Sequence, residues 1–263
     1  MNKIVYKIQY SGSMRSPVKS LLPEEALKPI VLVMEYYKPA NNERHGEILD
    51  TLQRNYHLQC FDMIQILYES TTDMKTLRSF LAKIVQEKIK TKIVFFEMPR
   101  RATFKSVFEH CNTHNPDSYV VIANNDIYFD ESILNLHKFT GKINFANKTC
   151  FALTRYEINE TTGIPELAFN GNRSLQSSSQ DVWILATPIN VPPESRFHFG
   201  TPGCDNRIAY LLNQLGYTLY NPVHDIKTYH NHSSQFRILT IRDKLPGLYR
   251  SVKPTKISIL PRS

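Results

Sequence analysis

The residues best suited to chemistry are oxygen and imidazole donors that follow apolar runs. Tyr119-Val-Val-Ile-Ala123 leads directly into Asn124-Asn125-Asp126. A carboxylate beside two amides supplies hard oxygen donors, the kind that hold Mg2+ or Mn2+ next to a diphosphate. Asn-Asn-Asp is also an ordinary turn sequence, so both readings stay open on these residues alone. In Tyr229-His230-Asn231-His232 an extended chain puts His230 and His232 on one face. There they can ligate Mn2+ or make local hydrogen bonds. Ser179-Gln180-Asp181 precedes Val182 and Trp183, the single tryptophan. Sugars stack on aromatic faces and bind carboxylates, so this is a candidate carbohydrate site; a core tryptophan behind a loop end fits equally. Arg100 and Arg101 offer guanidinium forks that match phosphate oxygens, or are surface charges. Asp205 opens a helix-period segment, where its side chain can serve as the N-cap.

Most of these positions follow predicted strands. Ile30–Met34 is a continuous apolar run, the mark of a strand buried on both faces. Further strands are predicted at Ile64–Tyr68, Ile93–Phe96 and Tyr119–Ala123, with helix-period segments between them. The helices carry Ile48, Leu52 and Tyr56; then Leu77, Leu81 and Ile84 behind a capping Asp73; then Phe104, Val107, Phe108 and Cys111 behind a capping Thr103. These alternations predict an α/β fold, a mostly parallel sheet with helices on both sides. Ligands in such sheets bind beyond the carboxyl ends of the strands, which singles out Glu35, Glu69, residues 97–101 and residues 124–126. The second half reads as mixed. It has short strands near residues 150–153, 182–185, 217–220 and 226–229, a polar loop over 159–179, and a helix from Asp205 to a stop at Gly216.

A length of 263 residues with 41% hydrophobic content suits one domain. No apolar run approaches the roughly 20 residues of a membrane-spanning helix. Lys7, Gln9 and Arg15 interrupt any signal-peptide core. Cys60, Cys111, Cys150 and Cys204 are scattered without a CxxC pair, which fits reduced thiols in a cytoplasmic protein better than disulfides or zinc. Of the net charge of +8, an excess of five falls in the last 23 residues, where Arg242, Lys244, Arg250, Lys253, Lys256 and Arg262 face only Asp243. Such a tail is either solvated or in peripheral contact with an anionic membrane. No nucleic-acid motif appears and aromatics do not interleave the basic positions, so nucleic acid is not an expected partner. The expected division is an irregular leader over 1–29, one domain over 30–240 and a basic tail over 241–263.

The order of strand–Asn124-Asn125-Asp126, acid at a helix start, Gly216-Tyr-Thr-Leu-Tyr-Asn221-Pro222 and histidine cluster resembles GT-A fold glycosyltransferases. The resemblance spans about residues 30–236. It implies a GT-A-type, Rossmann-like sheet, with residues 30–130 as the nucleotide-sugar half and 131–240 as a mixed acceptor half. It implies a Mn2+ or Mg2+ cofactor. Asn124-x-Asp126 then stands for the DxD motif with its first acid replaced, Asp126 ligates the metal, and His230, ahead of His232, completes the site. Glu69, Arg100, Arg101, Asn124 and Asn125 fall to the nucleotide-sugar donor. Asp205 takes the place of the general base of inverting members, although their Glu-Asp pair reads Cys204-Asp205 here; Asp181 is the reserve base. The implied reaction moves a sugar from a nucleoside-diphosphate sugar to a hydroxyl of a glycan or glycoconjugate acceptor. Two rivals remain. Asn124 and Cys204, standing where acids are expected, favour a degenerate carbohydrate- or nucleotide-sugar-binding module. A sugar-phosphate nucleotidyltransferase would resemble a Gly-rich basic loop after the first strand, whereas this chain has no glycine there until Gly46.

Overall fold

The apolar run at Ile30 forms β1 (Ile30–Tyr36), and three strand–helix units follow in the predicted order: α1 (Asn42–His57), β2 (Met63–Glu69), α2 (Lys75–Ile84), β3 (Lys92–Met98), α3 (Phe104–His114) and β4 (Tyr119–Ala123). The computed structural model describes residues 27–85, 89–139, 143, 145, 148–159, 161–233 and 241–257. The expected leader over 1–29 lies almost wholly outside the described residues. Asn41 caps α1 by accepting from the Arg44 amide, and Thr103 caps α3 in a reciprocal box with Ser106. Asp73 sits one residue outside the cap of α2; its carboxylate accepts from the Lys75 amide.

The second half supplies β5 (Ile127–Phe129), α4 (Asn135–Phe139), β6 (Thr149–Leu153), β7 (Tyr156–Ile158), β8 (Pro165–Leu167), α5 (Arg173–Ser178), β9 (Val182–Ala186), α6 (Cys204–Gln214), β10 (Thr218–Tyr220) and β11 (Thr228–His230). The loop predicted over 159–179 thus contains β8 and α5, too short and polar to show a period.

The main sheet has seven strands in the order β10-β6-β9-β4-β1-β2-β3, and a second sheet has four in the order β5-β11-β7-β8. Within the main sheet β9 alone runs against its neighbours, pairing antiparallel with both β4 and β6. Alternate residues divide the core into two layers. Leu32, Met34, Ile64 and Val121 meet Ile48, Leu52, Leu77 and Leu81 of α1 and α2. Val31, Val33, Val120 and Ile122 meet Phe104, Phe108, Ile208 and Leu212 of α3 and α6. The protein is therefore a mixed α/β domain with a large, mostly parallel sheet between helices. Strand order reverses between β1 and β4, so a crevice opens at their carboxyl ends.

From Val252 to Ile257 the basic tail is docked on the domain. The Val252 amide donates to Ser177 O, that of Thr255 to Asn221 O and that of Ile257 to the Asp225 carboxylate. Val252 and Ile257 are buried. Asn221, fully buried, accepts from the Thr154 amide and donates to Val252 O, so the Asn-Pro pair of the sequence motif serves as a clamp. Local charge leaves a solvated tail or a membrane contact open; a few apolar residues and backbone donors dock residues 252–257, while 242–251 stay largely exposed.

Candidate functional site

A cleft of about 640 Å³ runs along the carboxyl edge of the main sheet and is lined by Glu35, Asn124, Asp126, Asp181, Asp205 and His230, among others. A smaller recess beside it, of about 120 Å³, reaches Asn125 and Arg101.

Asp126 is placed by the turn between β4 and β5. Antiparallel pairing of β5 with β11 sets Ile127 opposite His230, and the Asn231 amide donates to Asp126 O at 2.8 Å. The Asp126 carboxylate therefore meets both histidines: His230 Nε2 lies 3.2 Å and His232 Nδ1 3.8 Å from Oδ2. One donor atom from each of the three residues lies within 4.8 Å of the others, enough for one ion. Asp126 Oδ1 is buried with no hydrogen-bond partner, the kind of orphaned acceptor that a cation satisfies. These residues fit a divalent metal. One carboxylate with two imidazoles is a mixed oxygen and nitrogen donor set of the kind that divalent transition metals take.

Around this triad runs a chain of charges, buried at Arg44, Glu47, Arg155 and Asp181 and half-exposed at Glu157. Arg44, in the first turn of α1, donates to Asp126 Oδ2 at 2.5 Å and to Glu47 at 3.0 Å. Burial would raise the Asp126 pKa, but His230 and Arg44 outweigh it and hold the carboxylate well below its ordinary range. Burial likewise would lower His230, but its bonds to Asp126 and Glu157 raise it to about 9. Glu157 on β7 accepts from Arg155 at 2.7 Å, and Arg155 donates to Asp181 at 2.8 Å.

Asp181 owes its place to the reversed strand. Because β9 runs against β4, its first residues reach the same edge where β4 ends, and Ala123 pairs with Val182. Asn124 Nδ2 then donates to Asp181 Oδ1 at 3.1 Å. An acid at position 124 would set a second carboxylate there. The amide is thus the better neighbour for Asp181, and a physical reason exists for the departure from DxD.

Asp205 is not the N-cap of α6. The helix starts at Cys204, with Gly203 at φ 82° in the cap position, so Asp205 falls in the first turn and its carboxylate faces the cleft. The Cys204 thiol donates to Asp205 Oδ1 at 3.2 Å. Burial, and next the Asp181 carboxylate, push Asp205 up to about 8, against the pull of Cys204 and Arg155. A carboxyl poised there can exchange protons near neutral pH.

Two expectations fail. Trp183 is fully buried in the middle of the sheet, edge-on to Phe104 with ring centroids 4.9 Å apart, and offers no face to a sugar. Central position on β9 covers both its sides, which the preceding polar trio concealed. Trp183→Ala is expected to cost about 3–5 kcal/mol in stability, read by chemical denaturation. Arg100 is exposed and does not line the cleft, because the chain turns away after β3; Arg101 does, donating to Phe199 O at 2.8 Å and lying 3.7 Å from Glu35. Glu69 ends β2 at the cleft wall. Arg44, Glu47, Arg155 and Glu157 were not anticipated. Arg155-x-Glu157 does place its charges on one face of a strand, the single available signal; Arg44 reads as an ordinary helix-surface residue.

No protein-family model and no curated protein matches the chain. Among solved structures, a mannosyltransferase from Pyrobaculum calidifontis, in complex with GDP-Man and Mn2+, is similar at 12% identity and TM-score 0.48, over 75% of this chain and 55% of that one. A putative glucose-1-phosphate thymidylyltransferase from Bacillus anthracis is similar at 10% identity and TM-score 0.45, over 74% and 86%. A 4-diphosphocytidyl-2C-methyl-D-erythritol synthase from Anaerococcus prevotii is similar at 15% identity and TM-score 0.41, over 82% and 94%. At these scores the likenesses carry no argument about the reaction.

Proposed function

We propose that the protein is a metal-dependent glycosyltransferase that moves a sugar from a nucleoside-diphosphate sugar to an acceptor hydroxyl with inversion. The observation that carries this reading is a single cleft holding both a metal-capable triad and, apart from it, the Asp205 carboxyl, whose proton affinity burial and the neighbouring Asp181 raise. Asp126, His230 and His232 hold the cation. When bound, it offsets charge on the departing diphosphate. Arg44 and Arg101 add fixed positive charge along the diphosphate path, and Glu35, Glu69, Asn124 and Asn125 line the donor end. Asp205 accepts the proton of the attacking hydroxyl, while Asp181, held by Asn124 and Arg155, keeps the Asp205 carboxyl basic enough to do so. The binding-module rival loses part of its support, since Asn124 has a structural partner.

Thermal unfolding against UDP-, GDP-, dTDP- and CMP-sugars, with and without Mn2+, tests the donor site. One nucleotide is expected to raise Tm by several degrees only when Mn2+ is present. A rise that survives chelation transfers the cation's role to Arg44 and Arg101. No rise with any nucleotide removes the reading. Release of pyrophosphate instead of a nucleoside diphosphate would mark a nucleotidyltransferase.

A further inference from the structure

Residues 252–257 are docked, yet residues 244–250 arch into solvent beside the mouth of the cleft. Two backbone bonds fix the feet of this arch: the Leu245 amide donates to Pro202 O at 2.9 Å and the Arg250 amide to Asn206 O at 3.0 Å. Arg207 of α6 supports the crown by donating to Leu248 O at 3.2 Å. Its guanidinium lies so close to Gly247, at φ 118°, that a Cβ there would approach it to 2.9 Å. The backbone conformation at this point is one that glycine adopts without strain, whereas the arginine end could shift to make room.

The arch presents Leu248, 63% exposed, and Tyr249, 37% exposed. Cations surround them. Lys244 Nζ lies 4.7 Å from the Tyr249 ring centroid, Arg207 lies beneath, and Arg250 donates to Asn213 at 2.8 Å. The acids of these two segments are few: Asp243 in the tail, and Asp205 on α6, which faces the cleft. A leucine held in water on a braced loop and ringed by cations is complementary to a surface that is apolar beneath and anionic above.

We propose that the arch is a docking surface for an anionic lipid bilayer. Leu248 enters the boundary between headgroups and acyl chains, while Lys244 and Arg250 meet lipid phosphates and Arg207 braces the arch from beneath. A nucleic acid is the poorer match, because single-strand binding needs open aromatic faces and the Tyr249 ring has Lys244 above it and its hydroxyl bonded to Leu245 O. Pro202 and Gly203 line the cleft mouth, so docking places that mouth at the membrane. The docking surface stands apart from the reading of the cleft; if sugar transfer also holds, the acceptor is one carried by that membrane.

Flotation of the purified full chain with vesicles tests this without any turnover. On phosphatidylcholine carrying about 30% phosphatidylglycerol at about 50 mM salt, binding is expected to exceed that on pure phosphatidylcholine by about tenfold, and to disappear near 500 mM salt. Lys244→Glu and Leu248→Asp, both at exposed positions, should each lower binding by about fivefold or more with unchanged circular dichroism and Tm. Equal binding to neutral and anionic vesicles overturns the proposal. So does anionic binding that neither variant weakens, since the lipid surface is then elsewhere. Displacement from vesicles by a single-stranded oligonucleotide that binds more tightly through the same residues would assign the arch to nucleic acid instead.

Discussion

Asp205→Asn is expected to lower turnover by about three orders of magnitude while leaving the Mn2+- and nucleotide-dependent rise in Tm intact. The amide keeps the size and polarity of the side chain but cannot take a proton. Since the carboxyl is pushed up to about 8, the wild-type kcat/KM should climb roughly tenfold per pH unit below that value and level above it. The variant's residual rate should lack this limb. Stability supplies an independent readout. A carboxyl whose folded pKa is raised from 3.8 to about 8 favours folding while protonated; its contribution is full below about 4 and lost as pH rises through 8. The variant should thus gain stability relative to the wild type as pH rises, and be the more stable of the two near pH 9. A pH–rate profile that is the same in both proteins, or a product of retained configuration, would remove Asp205 as the base.

The second large effect is expected at Asp126. Asp126→Ala should abolish the Mn2+-dependent rise in Tm and reduce turnover to background, because it removes the carboxylate of the triad. It should also destabilise the protein by about 3–5 kcal/mol without metal, because Arg44 loses one of its two carboxylate partners inside the protein. If Asp126→Ala keeps the Mn2+ response, the triad is not the metal site.

Much of the framework is legible in the residues themselves. Continuous apolar runs at Ile30–Met34 and Tyr119–Ala123, too short for buried helices, read as strands covered on both faces, and the helix-period segments between them, with Thr103 at a cap, point to strand–helix alternation. Alternation, in turn, locates the site at the strands' carboxyl ends, which is why Asp126 and Glu69 could be singled out from position alone. The periods are local, so a single chain segment carries them.

Direction and register are different, because they depend on partners distant in sequence. The reversal of β9 delivers Asp181 to Asn124 across 57 residues, and the pairing of β5 with β11 delivers His230 to Asp126 across 104. Trp183 could not be told from a binding-site aromatic until its strand proved central and covered on both sides. Arg44 and Arg155 gain their meaning only as counter-charges to acids that the tertiary fold buries beside them. Hydrophobic period and strand-end position are properties of short segments, so the residues alone specify the layered sheet and the edge at which chemistry can occur. Tertiary structure alone decided which charges share that edge, since burial and Coulomb coupling exist only between groups that long-range pairing has brought within a few ångströms.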